Sequence, residues 1–347
     1  MTAKAFLVVA LIASSVAADA QVTGRDHRVT TEPGVQLFVR EVSTAASRAP
    51  ILLIHGARVP GVASFDLPVP GGSLAADLAE RGFRVYVMDV RGYGRSSRPR
   101  EMSQPPDANP PLVRSNIAIR DIGAVVHWIR KQTGRKPALF GWATGGSWAG
   151  YYASLHSDEI AAVVMLNSLY GDSDKHESLG RGTQMEDPQH PGQFNARDNG
   201  AYRLSTAASL LTAWDRSIPL EDKSKWRDPA VARAYQEAAL TSDPQSKQHQ
   251  PPAFRAPSGA LEDSFYQALG QRLWHASFIR VPTLVIRSER DFWSRAEDAE
   301  ALNAELMHAP RKKVLIIPGA THHVHLDRPE RGREQLLREV VEFLSAR

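Results

Sequence analysis

The chain has 347 residues, of which 42% are hydrophobic, 23% are charged and 7% are aromatic, a composition typical of a folded globular protein and not of a disordered one. The 42 lysines and arginines nearly balance the 38 aspartates and glutamates, and the two signs alternate along the chain, so the charge pattern does not indicate a nucleic-acid partner. The absence of cysteine excludes disulfide bonds and thiol chemistry.

The amino-terminal segment is typical of a secretory signal peptide. Lys4 precedes an uninterrupted apolar run over residues 5–13, and the small residues of Ala18-Asp19-Ala20 form a typical signal-peptidase site. A buried helix or a membrane anchor is the alternative, but the run is too short to span a bilayer. We therefore predict a signal peptide over residues 1–20, a mature chain from Gln21 and a secreted or periplasmic location in a bacterium.

Short apolar segments alternate with amphipathic segments along most of the chain. Alternation after the turn at residues 32–34 predicts an opening hairpin, and Leu74 with Leu78 marks a first helix. Buried strands are predicted at residues 51–54, 83–88, 137–140, 161–166, 283–286 and 314–317, and further helices at residues 119–129 and 336–344. Strands that alternate with helices predict an α/β fold with a mainly parallel, doubly wound sheet.

The alternation stops between Tyr170 and about Phe278. This stretch is rich in Pro, Gln, Asp and Ser, yet it contains many aromatic residues. It is too long for a loop and too aromatic for a linker, so we predict an inserted, mostly helical cap. The predicted divisions are the signal peptide at 1–20, the first part of the core at 21–169, the cap at 170–278 and the second part of the core at 279–347.

A glycine-rich turn lies between a predicted strand and a predicted helix. Its sequence, Gly141-Trp142-Ala143-Thr144-Gly145, matches the pattern G-x-nucleophile-x-G, in which small flanking residues let neighbouring backbones approach a strained turn. Only the central residue departs from the pattern, because Ala143 has no reactive atom.

Four other segments, each at the end of a predicted strand, accompany this turn along the chain. They are His55-Gly56-Ala57, residues 89–96 with the pattern D-x-R-G-x-G-x-S, residues 288–291, and residues 317–322. Together with the glycine-rich turn they make the chain resemble the α/β-hydrolase superfamily, and more closely its capped esterase, lactonase and aminopeptidase-like members. The resemblance covers nearly the whole mature chain except the cap, and the order nucleophile, acid, histidine is that of this superfamily.

The resemblance implies acyl transfer by a catalytic triad. Position 143 is then the nucleophile position, His322 the base and Asp291 the acid that orients it, while the amides of Ala57 and Thr144 form the oxyanion hole. Neither a cofactor nor a metal ion is implied.

Ala143 allows three interpretations. We favour an introduced Ser→Ala replacement, which removes one oxygen and leaves the other catalytic parts in place. The second is a naturally inactive homologue that binds or signals. The third, a lost aspartate as in haloalkane dehalogenases or epoxide hydrolases, fits least, because Thr144 and Ala57 stand where those families tend to carry other residues. Thr144 and Ser147 are not expected to replace the nucleophile, since neither lies at the apex of the turn.

A possible metal motif follows the predicted histidine. His323, His325 and Asp327 spell H-x-H-x-D, but Arg328 stands where that motif needs a further histidine. We therefore interpret His323 and His325 as residues of the pocket rim or of the packing, and expect no metal site.

Other residues near strand ends complete the predicted site. Arg58, Trp142 and Trp293 are predicted to bind substrate. Arg58 either attracts a carboxylate-bearing ester or forms a surface salt bridge. Asp172 and Asp174 are alternative acids for the triad, or solvated loop charges.

We therefore predict a secreted serine hydrolase that cleaves a carboxylic ester or a lactone and that is inactive with Ala143 in place of serine. Its expected partner is a small-molecule ester. An amidase or peptidase with the same triad and a naturally inactive binding protein remain the alternatives.

Overall fold

The computed structural model describes residues 21–346, so the predicted signal peptide lies outside the described residues. The strands are β1 (Thr23–Glu32), β2 (Val35–Ser43), β3 (Ala49–Ile54), β4 (Phe83–Met88), β5 (Ala138–Trp142), β6 (Ala162–Leu166), β7 (Tyr202–Thr206), β8 (Ala253–Pro257), β9 (Thr283–Arg290) and β10 (Lys312–Thr321). The α-helices are α1 (Gly61–Phe65), α2 (Leu74–Glu80), α3 (Ser115–Thr133), α4 (Thr144–Leu155), α5 (Ala196–Asn199), α6 (Ala207–Ser217), α7 (Pro229–Thr241), α8 (Gly259–Gln267), α9 (Ala296–Glu305) and α10 (Arg333–Ser345). Short 3-10 helices lie between them, at Arg100–Ser103, Pro106–Ala108, Ser157–Glu159, Lys223–Lys225, Ser246–Gln248, Ala276–Phe278 and Pro329–Arg331.

Eight strands form one sheet in the order β1-β2-β4-β3-β5-β6-β9-β10. The pairs β1–β2 and β2–β4 are antiparallel, and every other pair is parallel. The opening hairpin is confirmed, with Glu32 opposite Val35 across the turn. The mainly parallel sheet is therefore confirmed as well.

Helices cover both faces of this sheet, which explains why its central strands are continuous apolar runs. On one face, Leu52 and Leu139 pack with residues of α3 and α4, including Trp148. On the other face, Leu53 and Phe140 pack with residues of α2 and α10. The carboxyl ends of the parallel strands meet at one edge, where the loops that carry the predicted site begin.

Between β6 and β9 lies the region predicted as the cap. It contains the helices α5 to α8 and also β7 and β8, which pair with each other as an antiparallel two-stranded sheet. The prediction of a mostly helical segment missed these strands, because Arg255 and Pro257 interrupt the apolar pattern of β8. Arg255 is buried there because Asp243 pairs with it at 2.7 Å.

Aromatic residues of this region pack mainly with one another and with the core. Trp214, Trp226 and Tyr235 form a cluster with Val59 and Leu326 of the core. These three aromatic residues therefore pack the inserted region against the strand-end loops. Among residues 21–346, no helix is both long enough and apolar enough to cross a membrane.

Candidate active site

The glycine-rich turn joins β5 to α4. Ala143 lies between the two elements with φ +54° and ψ −122°, a backbone region that a residue with a side chain seldom adopts. Its amide donates to the carbonyl of Leu166 on the neighbouring strand, at 2.8 Å. The sheet therefore holds residue 143 in a strained conformation at the strand ends.

The two flanking glycines are required by close backbone contacts. A Cβ atom at Gly141 would lie 2.1 Å from the carbonyl oxygen of Gly145, and one at Gly145 would lie 2.3 Å from that of Ile54. Both distances are too short for any side chain. The structure thus supplies the contacts for which the sequence pattern keeps these positions small.

His322 and Asp291 lie in the loops after β10 and β9. Nδ1 of His322 donates to Oδ1 of Asp291 at 2.5 Å, and both side chains are buried. Burial opposes ionisation of Asp291, but the charge and hydrogen bond of His322, with hydrogen bonds from Ser294, hold its pKa below the ordinary value. Because Nδ1 is engaged, Nε2 is the nitrogen of His322 that is left to accept a proton.

Two further side chains fix the backbone of His322. Nε1 of Trp142 donates to the carbonyl of His322 at 2.9 Å, and Nδ2 of Asn167 donates to the same oxygen at 3.2 Å. Trp142 was predicted to bind substrate. It lines the cavity and also positions the histidine loop. Asn167 was missed, although a buried Asn directly after an apolar strand is a signal for such a role.

The loop after β3 carries the first predicted oxyanion donor, Ala57. His55 shapes this loop, because its Nδ1 donates to the carbonyl of Gly56 at 2.7 Å and its Nε2 accepts from the amide of Val90 at 3.1 Å. Burial lowers the pKa of His55 to about 4, so the ring is neutral and can make both bonds.

The second predicted donor, Thr144, is the first residue of α4, so its amide has no acceptor within the helix. Over residues 21–346, neither the Thr144 amide nor the Ala57 amide donates to an acceptor of the chain. Both residues line one cavity together with Ala143 and His322. The two amides are thus available to a ligand oxygen.

The D-x-R-G-x-G-x-S segment at residues 89–96 holds the loop after β3 in place. Oδ1 of Asp89 accepts from the amide of Gly61 at 2.8 Å, and Oδ2 accepts from the amide of Arg95 at 2.9 Å. Gly94 passes so close that a Cβ atom there would lie 2.0 Å from Oδ2 of Asp89. The motif is structural in this fold.

A cavity of about 160 Å³ lies over the turn. It brings together most of the predicted site residues, while Asp291 lies behind His322. Those that line it are Ala57, Arg58, Trp142, Ala143, Thr144, Trp293 and His322. Four residues outside the predicted set of site residues also line it, namely Arg203, Leu210, Tyr235 and Phe292. Three of these four lie on β7, α6 and α7. No local pattern in the sequence predicts that these elements lie over the strand ends.

Arg58 does not form the surface salt bridge that was one interpretation of it. In the described part of the chain its hydrogen-bond partners are Ser205 and Ser209, and no carboxylate lies within 4.0 Å of its guanidinium. The alternative acids lie elsewhere: Asp172 is exposed and pairs with Arg272, and Asp174 is also exposed.

Of the two histidines after His322, both are packing residues and only His323 also lines the cavity. The ring of His323 lines the cavity and stacks on Trp214 with centroids 4.5 Å apart, whereas His325 is buried against Trp142 at 4.4 Å. From residue 21 to residue 346, no three His, Asp or Glu side chains are grouped so that they would hold a metal ion.

The chain matches the family model of the α/β hydrolase fold over residues 49–329 and belongs to that family. Among curated proteins it is similar to lipase member M of Homo sapiens, with 26% identity over 148 residues, which are 41% of this chain and 35% of that protein. The same lipase of Mus musculus is 25% identical over 147 residues, with the same coverage. The match thus spans about a third of the length of these relatives.

Solved structures share the fold at low identity. E-2-(acetamidomethylene)succinate hydrolase has a TM-score of 0.60 and 20% identity, with 93% of this chain and 100% of that chain covered. A meta-cleavage product hydrolase from Pseudomonas fluorescens has a TM-score of 0.57 and 19% identity, with 91% and 96% covered. A monoacylglycerol lipase from Paleococcus ferrophilus has a TM-score of 0.52 and 19% identity, with 89% and 98% covered.

Proposed function

We propose that this site is that of a serine hydrolase for a small carboxylic ester or lactone, and that this chain, with Ala143, binds the ester without cleaving it. The observation that carries the proposal is the strained turn at position 143, which faces the same cavity as His322. The histidine is in turn hydrogen-bonded to a buried aspartate, as acyl transfer requires.

With a serine at position 143, the reaction proceeds in two steps. The hydroxyl oxygen attacks the ester carbonyl while His322 takes its proton, and the amides of Ala57 and Thr144 stabilise the oxyanion. The histidine then gives the proton to the leaving alcohol, and an acyl-enzyme remains. Water, deprotonated by His322, attacks the acyl group and releases the acid together with the restored serine.

With Ala143, the attacking oxygen is absent, while the other groups that this reaction uses are present. Ester binding and the oxyanion donors remain, so we expect the present chain to hold an intact ester. The second candidate function is a ligand-binding protein in which the alanine is native, and Ala143 itself favours it. An amidase would use the same catalytic residues, so a panel of substrates is needed to tell whether an ester or an amide bond is cleaved.

The Ala143→Ser variant tests the proposal. We expect it to react with a fluorophosphonate probe and to hydrolyse para-nitrophenyl butyrate at least about a thousand-fold faster than the unchanged chain, because the nucleophile supplies most of the acceleration in such triads. The panel includes a butyrolactone and an aminoacyl anilide to identify the bond.

The double variant Ala143→Ser, His322→Gln is the control and is expected to lose both reactions. If Ala143→Ser folds like the unchanged chain but neither labels nor hydrolyses any member of the panel, the hydrolase proposal is wrong and the binding-protein candidate takes its place.

A further inference from the structure

Two arginines line the cavity without an acidic partner. Arg58 follows Ala57 at the end of β3, and Arg203 lies on β7 of the inserted region. No aspartate or glutamate of residues 21–346 lines this cavity. Its lining therefore carries two positive charges that no carboxylate of the lining offsets.

Elsewhere the protein pairs its buried arginines with carboxylates. Arg91 is hydrogen-bonded to Asp121, with Nη2 and Oδ1 at 2.5 Å, and Arg255 is bonded to Asp243 through two nitrogens. Such pairing is expected, because moving an unpaired charge out of water costs on the order of several kcal/mol. Arg58 and Arg203 are half-buried and have no such carboxylate partner among residues 21–346.

The two guanidinium groups are held by neutral partners only. Nε of Arg58 donates to Oγ of Ser205 at 3.1 Å, and its Nη2 donates to Oγ of Ser209 at 2.6 Å. Nη2 of Arg203 donates to the carbonyl of Ala57 at 2.9 Å, while its Nε is buried with no partner among the described residues. These bonds orient the side chains and leave both charges unneutralised.

Both groups converge beside the predicted oxyanion donor. Arg203 and Ser205 are two residues apart on β7, so their side chains leave the same face of the strand. Arg58 bonds to the second of them, and Arg203 bonds to Ala57, the residue before Arg58. Burial and the nearby charge of Arg58 lower the pKa of Arg203 to about 10, at which the group is still cationic at neutral pH.

We propose that Arg58 and Arg203 bind a carboxylate of the substrate, so that the site takes esters that carry a free carboxylate a few atoms from the ester carbonyl. This inference rests on the proposed ester hydrolase and names its substrate class. The planar guanidinium matches a carboxylate better than it matches a neutral chain. Phe292, Trp293 and Leu210 supply apolar walls for the carbon chain between the two groups.

Two measurements separate this inference from the hydrolase proposal. In the Ala143→Ser background, kcat/KM is compared for para-nitrophenyl hydrogen glutarate and for the same compound with its carboxylate methylated. In the chain as it stands, calorimetry compares binding of monomethyl glutarate and dimethyl glutarate, and this comparison needs no turnover.

We expect the carboxylate form to be preferred in both measurements. In the Arg203→Gln variant and in the Arg58→Gln variant, the ratio of kcat/KM for the carboxylate form over the methylated form is expected to fall about ten- to hundred-fold, the usual effect of losing a charge-assisted hydrogen bond. Arg216→Gln is the matched control, because it removes one exposed positive charge from α6 and should leave the ratio unchanged.

Equal ratios in Arg203→Gln, Arg58→Gln and Arg216→Gln overturn the inference. If Ala143→Ser hydrolyses neither ester, the hydrolase proposal fails and calorimetry decides: binding of monomethyl glutarate at least about ten-fold tighter than the dimethyl ester, lost in Arg203→Gln, supports the carboxylate site. Equal binding of the two glutarates, or none, contradicts it.

Discussion

The two sides of the cavity differ in whether a charged side chain meets a group of opposite charge. On the side that holds Asp291 and His322, the carboxylate is bonded to the imidazole and to Ser294, so its charge is fully accommodated. On the side that holds Arg58 and Arg203, only neutral atoms meet the guanidinium groups. The charge of Asp291 is thus met by groups of the chain, whereas no carboxylate of residues 21–346 pairs with Arg58 or Arg203.

The difference follows from which elements build each side. The side that holds Asp291 and His322 is built from loops at the ends of parallel strands, whose positions the sheet fixes. The arginine side needs β7 and α6 of the inserted region to lie over those loops. Arg58 comes from a loop of the sheet and Arg203 from the inserted region, so the proposed ligand site needs both regions, whereas His322 and Asp291 need the sheet loops alone.

The largest effect is expected for Asp291→Asn in the Ala143→Ser background. The amide would no longer hold the imidazole in the required tautomer, so kcat should fall about a thousand-fold or more with little change in KM. Steady-state kinetics with para-nitrophenyl butyrate measure it. Asp172→Asn is the control for the alternative acid and should stay close to the parent rate, since Asp172 pairs with Arg272. A large loss in Asp172→Asn with none in Asp291→Asn would reverse the assignment.

A smaller effect, on stability, is expected for Gly145→Ala. The added Cβ would lie 2.3 Å from the carbonyl oxygen of Ile54, and neither backbone segment can move without disturbing the sheet. The free energy of unfolding in urea should fall by about 3 kcal/mol. Gly24→Ala, where a Cβ meets nothing within 4 Å, should change it by much less. Equal losses in the two variants would mean that the turn is not tightly packed.

The smallest effect concerns the pH dependence of stability. Asp327 links the inserted region to the core, because its Oδ1 accepts from Nε1 of Trp214 at 2.8 Å and its Oδ2 from Oγ1 of Thr321 at 2.6 Å. Burial raises the pKa of Asp327 to about 7. The folded state therefore holds a proton that the unfolded chain releases near its ordinary pKa of about 4, so this group stabilises the fold at low pH and loses that contribution as the pH rises to about 7.

The Asp327→Asn variant removes this titration. Between about pH 5 and about pH 8, the change in its free energy of unfolding should be more positive than that of the unchanged chain, by about 2 kcal/mol. Urea unfolding at both values measures the difference, and Asp89, whose pKa burial also raises, to about 6, contributes equally to both proteins. Parallel pH curves for the two proteins would show that Asp327 is ionised in the folded state.

Residues of the sheet and its loops were predictable because local rules govern them. Buried parallel strands must be apolar along their whole length, and the contacts at Gly141 and Gly145 exclude any larger residue, so both leave a readable pattern. His322 and Asp291 follow such strands, and the resemblance to a known family assigned their roles. The start of β10 was not predictable, because Lys312 and Lys313 are exposed and interrupt the apolar pattern of a buried strand.

Arg203, unlike Arg58, was not predictable in the same way. Arg203 stands on a short strand that pairs with β8, about fifty residues further along the chain. Nothing near position 203 distinguishes an unpaired cavity arginine from Arg255, which is neutralised by Asp243. The sequence already offered Arg58 as a residue that attracts a carboxylate, but only the assembled fold shows that Arg203 lies beside it without a carboxylate partner.

Intact-protein mass spectrometry shows directly whether a serine at position 143 carries the acyl group. The Ala143→Ser variant is mixed with para-nitrophenyl hydrogen glutarate and quenched in acid, and its mass is compared with that of the unchanged chain treated in the same way. We predict that the variant gains the mass of one glutaryl group, located by peptide mapping at position 143, and that the unchanged chain gains none. A variant that neither gains the group nor releases nitrophenol, or an acyl group at any other position, would contradict acyl transfer at this turn.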